Sequence, residues 1–145
     1  MGEDDGQYWP QNLLGFKVRK LHNKLSQQWM DLARSKNVEA SPVQAGILLF
    51  IDANSGLSQK DLAQLLGVDA STLSQALNPL LKRNLVARIP LEKDKRRFQL
   101  TLTDKGKRMA CEVREVVALR QQLLPGDLDR DELEVLHGLL DRLVS

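Results

Sequence analysis

Between Ala70 and Arg83 the polar side chains fall at regular intervals. Ser71, Gln75, Asn78 and Lys82 follow one another at steps of 4, 3 and 4, flanked by Thr72 and Ser74. On a helix these positions share one face, while Leu73, Leu77, Leu80 and Leu81 share the opposite one, with Ala76 beside them. The outward set contains amides, hydroxyls and one ammonium, and no acid. Carboxamides pair with adenine edges, hydroxyls with donors or acceptors on any base, and lysine with guanine or phosphate. A helix face that meets only water more often pairs Glu with Lys. The chemistry implied is hydrogen-bond reading of base edges.

A second group of side chains is Lys93-Asp94-Lys95-Arg96-Arg97. A guanidinium is drawn electrostatically into a narrow minor groove, most of all over A-tracts. Asp94 stands two residues before Arg96, within reach to orient its fork by a charge-assisted bond. The competing reading of this segment is a solvated loop rich in lysine.

The charge distribution bears on that choice. The 145-residue chain carries a formal net charge of +2, but residues 82–108 hold ten basic and three acidic side chains, or +7. The remainder has eleven bases and sixteen acids, or −5. A basic centre in an otherwise acidic chain fits a polyanion-facing surface. At 42% hydrophobic residues the chain can bury a core as one domain. No run approaches the ~18 consecutive apolar residues of a membrane helix, so no membrane partner is expected. Met1-Gly2-Glu3-Asp4-Asp5 lacks the basic-then-apolar pattern of an export signal. A single cysteine forms no internal disulfide, which fits a cytoplasmic location, and one cysteine with two histidines disfavours a structural zinc cage. The chain has no nucleophile elbow, no phosphate-binding glycine loop and no His-Glu-x-x-His, so neither enzyme activity nor a cofactor is expected.

The elements that must hold these groups follow from periodicity and capping. Leu14, Val18, Leu21, Leu25, Trp29 and Leu32 make one stripe on a helix over ~12–34. Ser41-Pro42, with Gln44 three residues after the serine, opens a second helix whose Ile47, Leu48, Phe50 and Ile51 mark it as central. It stops near Asn54-Ser55-Gly56. Ser58 and Asp61 form another capping box, on a short helix ending at Leu66 and Gly67. Asp69 caps the helix from Ala70 to Arg83, and Asn84 ends it in a conformation asparagine tolerates. Pro79 removes the bond to the Gln75 carbonyl and should bend that helix. The period then changes to 2. Leu85–Ile89 and Phe98–Leu102 read as a strand pair with a charged tip over Pro90–Arg97. Thr103-Asp104-Lys105-Gly106 starts a helix running to about Leu124. Pro125-Gly126 breaks it, and Asp129 caps a last helix striped by Leu133, Leu136, Leu140 and Leu143.

Two short helices joined by a tight turn, followed by a hairpin, make a winged helix-turn-helix. In this pattern the chain resembles the MarR family of transcription regulators over nearly its whole length. The resemblance is carried by Ser-Gln-Lys-Asp-Leu-Ala-Gln-Leu-Leu-Gly-Val at 58–68, Leu-Asn-Pro-Leu-Leu-Lys-Arg-Asn-Leu-Val at 77–86 and, most specifically, Asp-Lys-Arg-Arg-Phe-Gln-Leu-Thr-Leu-Thr-Asp-Lys-Gly at 94–106. Asn84 departs from the family's usual glycine. The resemblance implies a mostly α-helical (α+β) fold, with residues 41–106 as the DNA-binding lobe and 12–40 and 107–145 as dimerisation helices. It further implies a homodimer on a pseudo-palindromic operator in double-stranded DNA, most often acting as a repressor. The recognition helix would place Ser71, Thr72, Ser74, Gln75 and Asn78 in the major groove and the wing Arg96 in the minor groove. Lys82, Arg83, Lys95 and Arg97 would lie on the backbone. Many relatives release DNA on binding a small aromatic acid, phenolic compound or thioester between the dimer helices and the lobe. Arg19, His22 and Trp29 lie on the first helix where such a pocket would open, although dimer core and surface is the plainer reading of all three.

Cys111, beside Ala110 and Val113, is expected to be a small core residue rather than a redox sensor. His137 has no evident partner. Two other classes stand as alternatives: a small hydrolytic enzyme, which would need catalytic groups brought together by folding, and a winged helix used only for protein contacts. The latter would carry apolar or acidic residues where Ser71, Gln75 and Asn78 stand.

Overall fold

A computed structural model describes residues 10–123, 126 and 128–145. The order is α1 (Leu14–Ser35), α2 (Pro42–Ala53), α3 (Gln59–Leu66), α4 (Ala70–Lys82), β1 (Val86–Pro90), β2 (Phe98–Leu102), α5 (Asp104–Leu123) and α6 (Arg130–Val144). Leu124, Pro125 and the N-terminal Met1–Asp5 segment lie outside the described residues, so the expected end of α5 at Leu124 and the Pro125 break are not described.

Local chemistry sets the boundaries. Ser41, Ser58 and Asp129 each complete a capping box, with Gln44, Asp61 and Glu132 respectively. Asp69 accepts from the Thr72 N–H at 2.7 Å. Gly67 ends α3 at φ 65°, and Asn84 follows α4 at φ 56°, the left-handed backbone expected of it. The strands pair antiparallel with Arg88 opposite Leu100, one residue later at the start of β1 than the hydropathy pattern indicates.

The core is built around α2, with Ile47 and Leu48 fully buried and Leu62, Leu73, Leu77, Leu80, Val113 and Val116 packed about them. Gly106 lets the first turn of α5 lie against the start of the wing. A Cβ there would run into the Leu85 carbonyl oxygen. Thr103 completes this junction, its hydroxyl donating to the Asn84 carbonyl at 2.6 Å and accepting from the Gly106 N–H at 3.0 Å.

The stripe on α1 divides in two. Trp29 is buried and Leu25 and Leu32 are half-buried, whereas Leu14, Val18 and Leu21 are exposed. Helix α6 has no buried residue, and Leu140 and Leu143 face outward with Val135, Leu139 and Val144. Cys111 corrects an expectation: it is exposed, and accepts from an Arg114 Nη1–H at a donor–sulfur distance of 3.6 Å.

Candidate nucleic-acid interface

Helix α4 presents the face its spacing implies. Leu73, Leu77 and Leu80 are at most 1% exposed, while Ser71, Thr72, Gln75, Asn78 and Lys82 are exposed and Ser74 is half-buried. Pro79 lies inside the helix, yet Leu77 and Leu80 on either side of it both pack into the core.

The helices around this face are held by charged caps. The Ser58 hydroxyl and N–H donate to Asp61 at 2.7 and 2.8 Å and hold its carboxyl below the usual aspartate range. Lys60 and Arg97 add smaller contributions in the same direction. The Asp69 carboxyl is lowered by the Thr72 N–H that it caps.

The wing supplies the cations. Lys93, Lys95, Arg96 and Arg97 are all exposed. Asp94 departs from its expected role. Its carboxylate accepts from the backbone N–H of Arg96 at 3.1 Å, rather than from the guanidinium, and its carbonyl accepts from the Arg97 N–H at 2.9 Å. It therefore shapes the turn, which in turn aims the side chains. Arg97 lines a cleft of about 710 Å³ between α3 and the wing, with Asp61 on the far wall. Arg83 also departs from a purely outward role. Its Nη1 donates to the Glu39 carbonyl at 2.8 Å and its Nη2 lies 3.9 Å from the Glu39 carboxylate, bracing α4 against the α1–α2 connection.

Three contacts carried no sequence signal. Gln59, at the start of α3, donates to the Ser74 hydroxyl at 3.1 Å and accepts from Arg88 of β1 at 3.3 Å. Asp52 of α2 pairs with Arg114 of α5. The partners are far apart in the chain, and no periodicity pairs them.

The ligand candidates on α1 are separated. Arg19 lines an apolar cavity of about 250 Å³ with Leu13, Gly15 and Phe16. His22 is exposed three residues on. Trp29 is 1% exposed and donates its indole N–H to the Ala40 carbonyl at 2.8 Å, so its ring is a core element and presents no open face for stacking. Among the described residues no group of three or more His, Cys, Asp and Glu is placed to hold a metal, and no helix is long and apolar enough to cross a membrane.

A polar recognition helix, a preceding capped helix and a cationic hairpin define a winged helix-turn-helix protein. Residues 40–97 match the model of the MarR family. A Thauera aromatica protein described as a transcriptional regulatory protein for the hcr operon is 33% identical over 103 residues, 71% of this chain and 62% of that protein. The chain thus spans less than two thirds of the length of that curated relative. Among solved structures, the transcriptional repressor CouR bound to a 23-mer DNA duplex is 28% identical, with a TM-score of 0.83 and 93% and 94% of the two chains covered. The PcaV transcriptional regulator of Streptomyces coelicolor, in complex with its natural ligand, is 26% identical, with a TM-score of 0.82 and 92% and 93% covered. Over residues 40–97 the chain thus matches the MarR family, and its fold is that of these regulators.

Proposed function

We propose that the protein is a cytoplasmic transcription regulator that binds a pseudo-palindromic site in double-stranded DNA as a homodimer, acts as a repressor and is released by a small organic ligand. The observation that carries this reading is the acid-free polar face of α4 standing beside an exposed cationic wing. Ser71, Thr72, Ser74, Gln75 and Asn78 meet base edges or adjacent phosphates. Arg96 enters the minor groove, and Lys82, Lys95 and Arg97 contact the backbone. Arg83 serves mainly as the brace to Glu39. Residues 41–106 form the DNA-binding lobe, with 12–40 and 107–145 as pairing helices. The exposed Leu14, Val18 and Leu21 of α1 and Leu139, Leu140 and Leu143 of α6 give a second copy apolar surface to bury.

A dimer places the two α4 helices one DNA turn apart, roughly 34 Å. The ligand is a small aromatic acid, a phenolic compound or a thioester of one, with the Arg19 guanidinium as the cationic partner of its anionic group and His22 nearby. One solved CouR structure, 27% identical to this chain, is bound to p-coumaroyl-CoA, which supports that chemical class.

Selection from random duplex DNA tests the reading, repeated with aromatic acids and their thioesters. Recovery of an inverted repeat, lost when one compound is present, is the expected result. Failure to enrich any site would overturn it.

A further inference from the structure

We propose that Gln59, held by Arg88, is a positioning residue that makes Ser74 a hydrogen-bond donor toward a base edge. The wing and the first helix of the motif would thereby set part of the sequence preference of the second. This inference rests on the DNA-binding reading above.

A guanidinium has donors and no acceptor, so the Arg88 Nη2, 3.3 Å from Gln59 Oε1, requires the oxygen end of the amide on the wing side. The amide nitrogen then faces α4, where Nε2 lies 3.1 Å from the Ser74 Oγ. That nitrogen has only protons to give, so the serine oxygen accepts and its own proton has no partner in this relay. Ser74 is half-buried and bonded to Gln59 of α3, at a position of α4 that flanks the exposed Ser71, Gln75 and Asn78. Its proton is therefore free to meet an acceptor outside the molecule. Guanine O6 and N7, thymine O4 and, beside its N6 amine, adenine N7 offer one, whereas the N4 amine of cytosine leaves the proton unpaired.

Gln59→Glu reverses this proton inventory. A carboxylate has no proton to give and accepts from both Arg88 and Ser74, so the serine proton turns inward and its lone pairs face the groove. The experiment compares base-preference profiles, from selection on random duplex DNA and competition binding, for the full-length wild-type chain and for Gln59→Glu, Ser74→Ala, Arg88→Met and the Gln59→Glu/Ser74→Ala double variant. Far-ultraviolet circular dichroism confirms that each is folded.

At one position in each half-site, Gln59→Glu is expected to shift preference from guanine or thymine toward cytosine by about fivefold, the worth of one net hydrogen bond. Ser74→Ala flattens that position, and adding Gln59→Glu to it changes the position no further. Arg88→Met, which frees the amide to turn, weakens the preference without reversing it. A uniform loss of affinity in Gln59→Glu with an unchanged profile would assign the effect to phosphate repulsion and overturn the relay, as would a Ser74→Ala profile identical to wild type. If the wild-type chain enriches no site, the function reading fails and the relay with it. A selected site with an unmoved profile sinks the relay alone.

Discussion

The Gln44 carboxamide donates to the Ala76 carbonyl at 3.2 Å, tying the first turn of α2 to the turn of α4 that Pro79 interrupts. The other end of the same amide accepts from the Ser41 N–H at 3.0 Å. One side chain thus caps the central helix and anchors the recognition helix. Gln44→Ala removes both bonds and is expected to cost about 1–2 kcal/mol. The measurement is the urea midpoint, which should fall at an unchanged m-value. An unmoved midpoint would rule out this anchoring role.

The junction of α5 with the wing tolerates no side chain at Gly106, because a Cβ would meet the Leu85 carbonyl oxygen. Gly106→Ala should destabilise by about 1–3 kcal/mol, through overpacking against backbone that cannot yield. The measurement is the thermal midpoint. Heteronuclear spectra should place the largest shift changes at Leu85 and Thr103.

Trp29 and Arg19 separate core from candidate pocket. Trp29→Phe leaves the Ala40 carbonyl without its indole donor and is expected to lower stability by about 1–3 kcal/mol. Arg19 is exposed, so Arg19→Ala should change stability by less than about 0.5 kcal/mol while weakening release of DNA by an anionic aromatic ligand. Equal stability losses in the two variants would contradict this division.

Arg96→Ala should weaken binding to the selected site by about 1–3 kcal/mol, with the largest loss on sites whose flanks are A-tracts. Asp94→Ala, which removes the acceptor for the Arg96 N–H, should loosen the tip and produce a smaller loss of the same kind. Competition binding at physiological salt reads both, and equal affinity for Arg96→Ala would remove the minor-groove role.

Acid should loosen the motif at its caps. The Asp61 and Asp69 carboxyls are lowered in the folded protein by the hydrogen bonds they accept from Ser58 and Thr72. Their contribution to stability is therefore fully present above the unfolded aspartate value of about 3.9, and is lost as pH falls through the lower folded values. Carboxyl-carbon titration by NMR should place both midpoints below about 3.9. Exchange protection at the starts of α3 and α4 should fall over the same range, and midpoints at or above it would contradict the capping account.

The helix-turn-helix and wing are legible in the chain because their signals are local. Ser58 with Asp61, Asp69 before Ala70, Gly67 and Asn84 act on backbone groups within a few residues of themselves. The division of α4 into an apolar and a polar face follows from spacing alone, and burial matches it at Leu73, Leu77 and Leu80. Spacing pairs Asp94 with Arg96, but the bond forms at the Arg96 N–H, since residue spacing fixes reach and does not distinguish that N–H from the guanidinium.

Other features depend on partners that only folding supplies. Trp29 occupies a stripe that continues unburied toward Leu14, and the spacing is the same in both halves. Its burial follows from the core cluster it joins on folding, at whose edge its indole N–H meets the Ala40 carbonyl. Arg83 is turned to Glu39, 44 residues away, and Gln59 to Ser74 and Arg88, 15 and 29 residues away. Periodicity and capping describe energies that a segment has with itself. Whether a given amide or guanidinium faces solvent, a carbonyl or another side chain depends on which segments the buried apolar surface draws together.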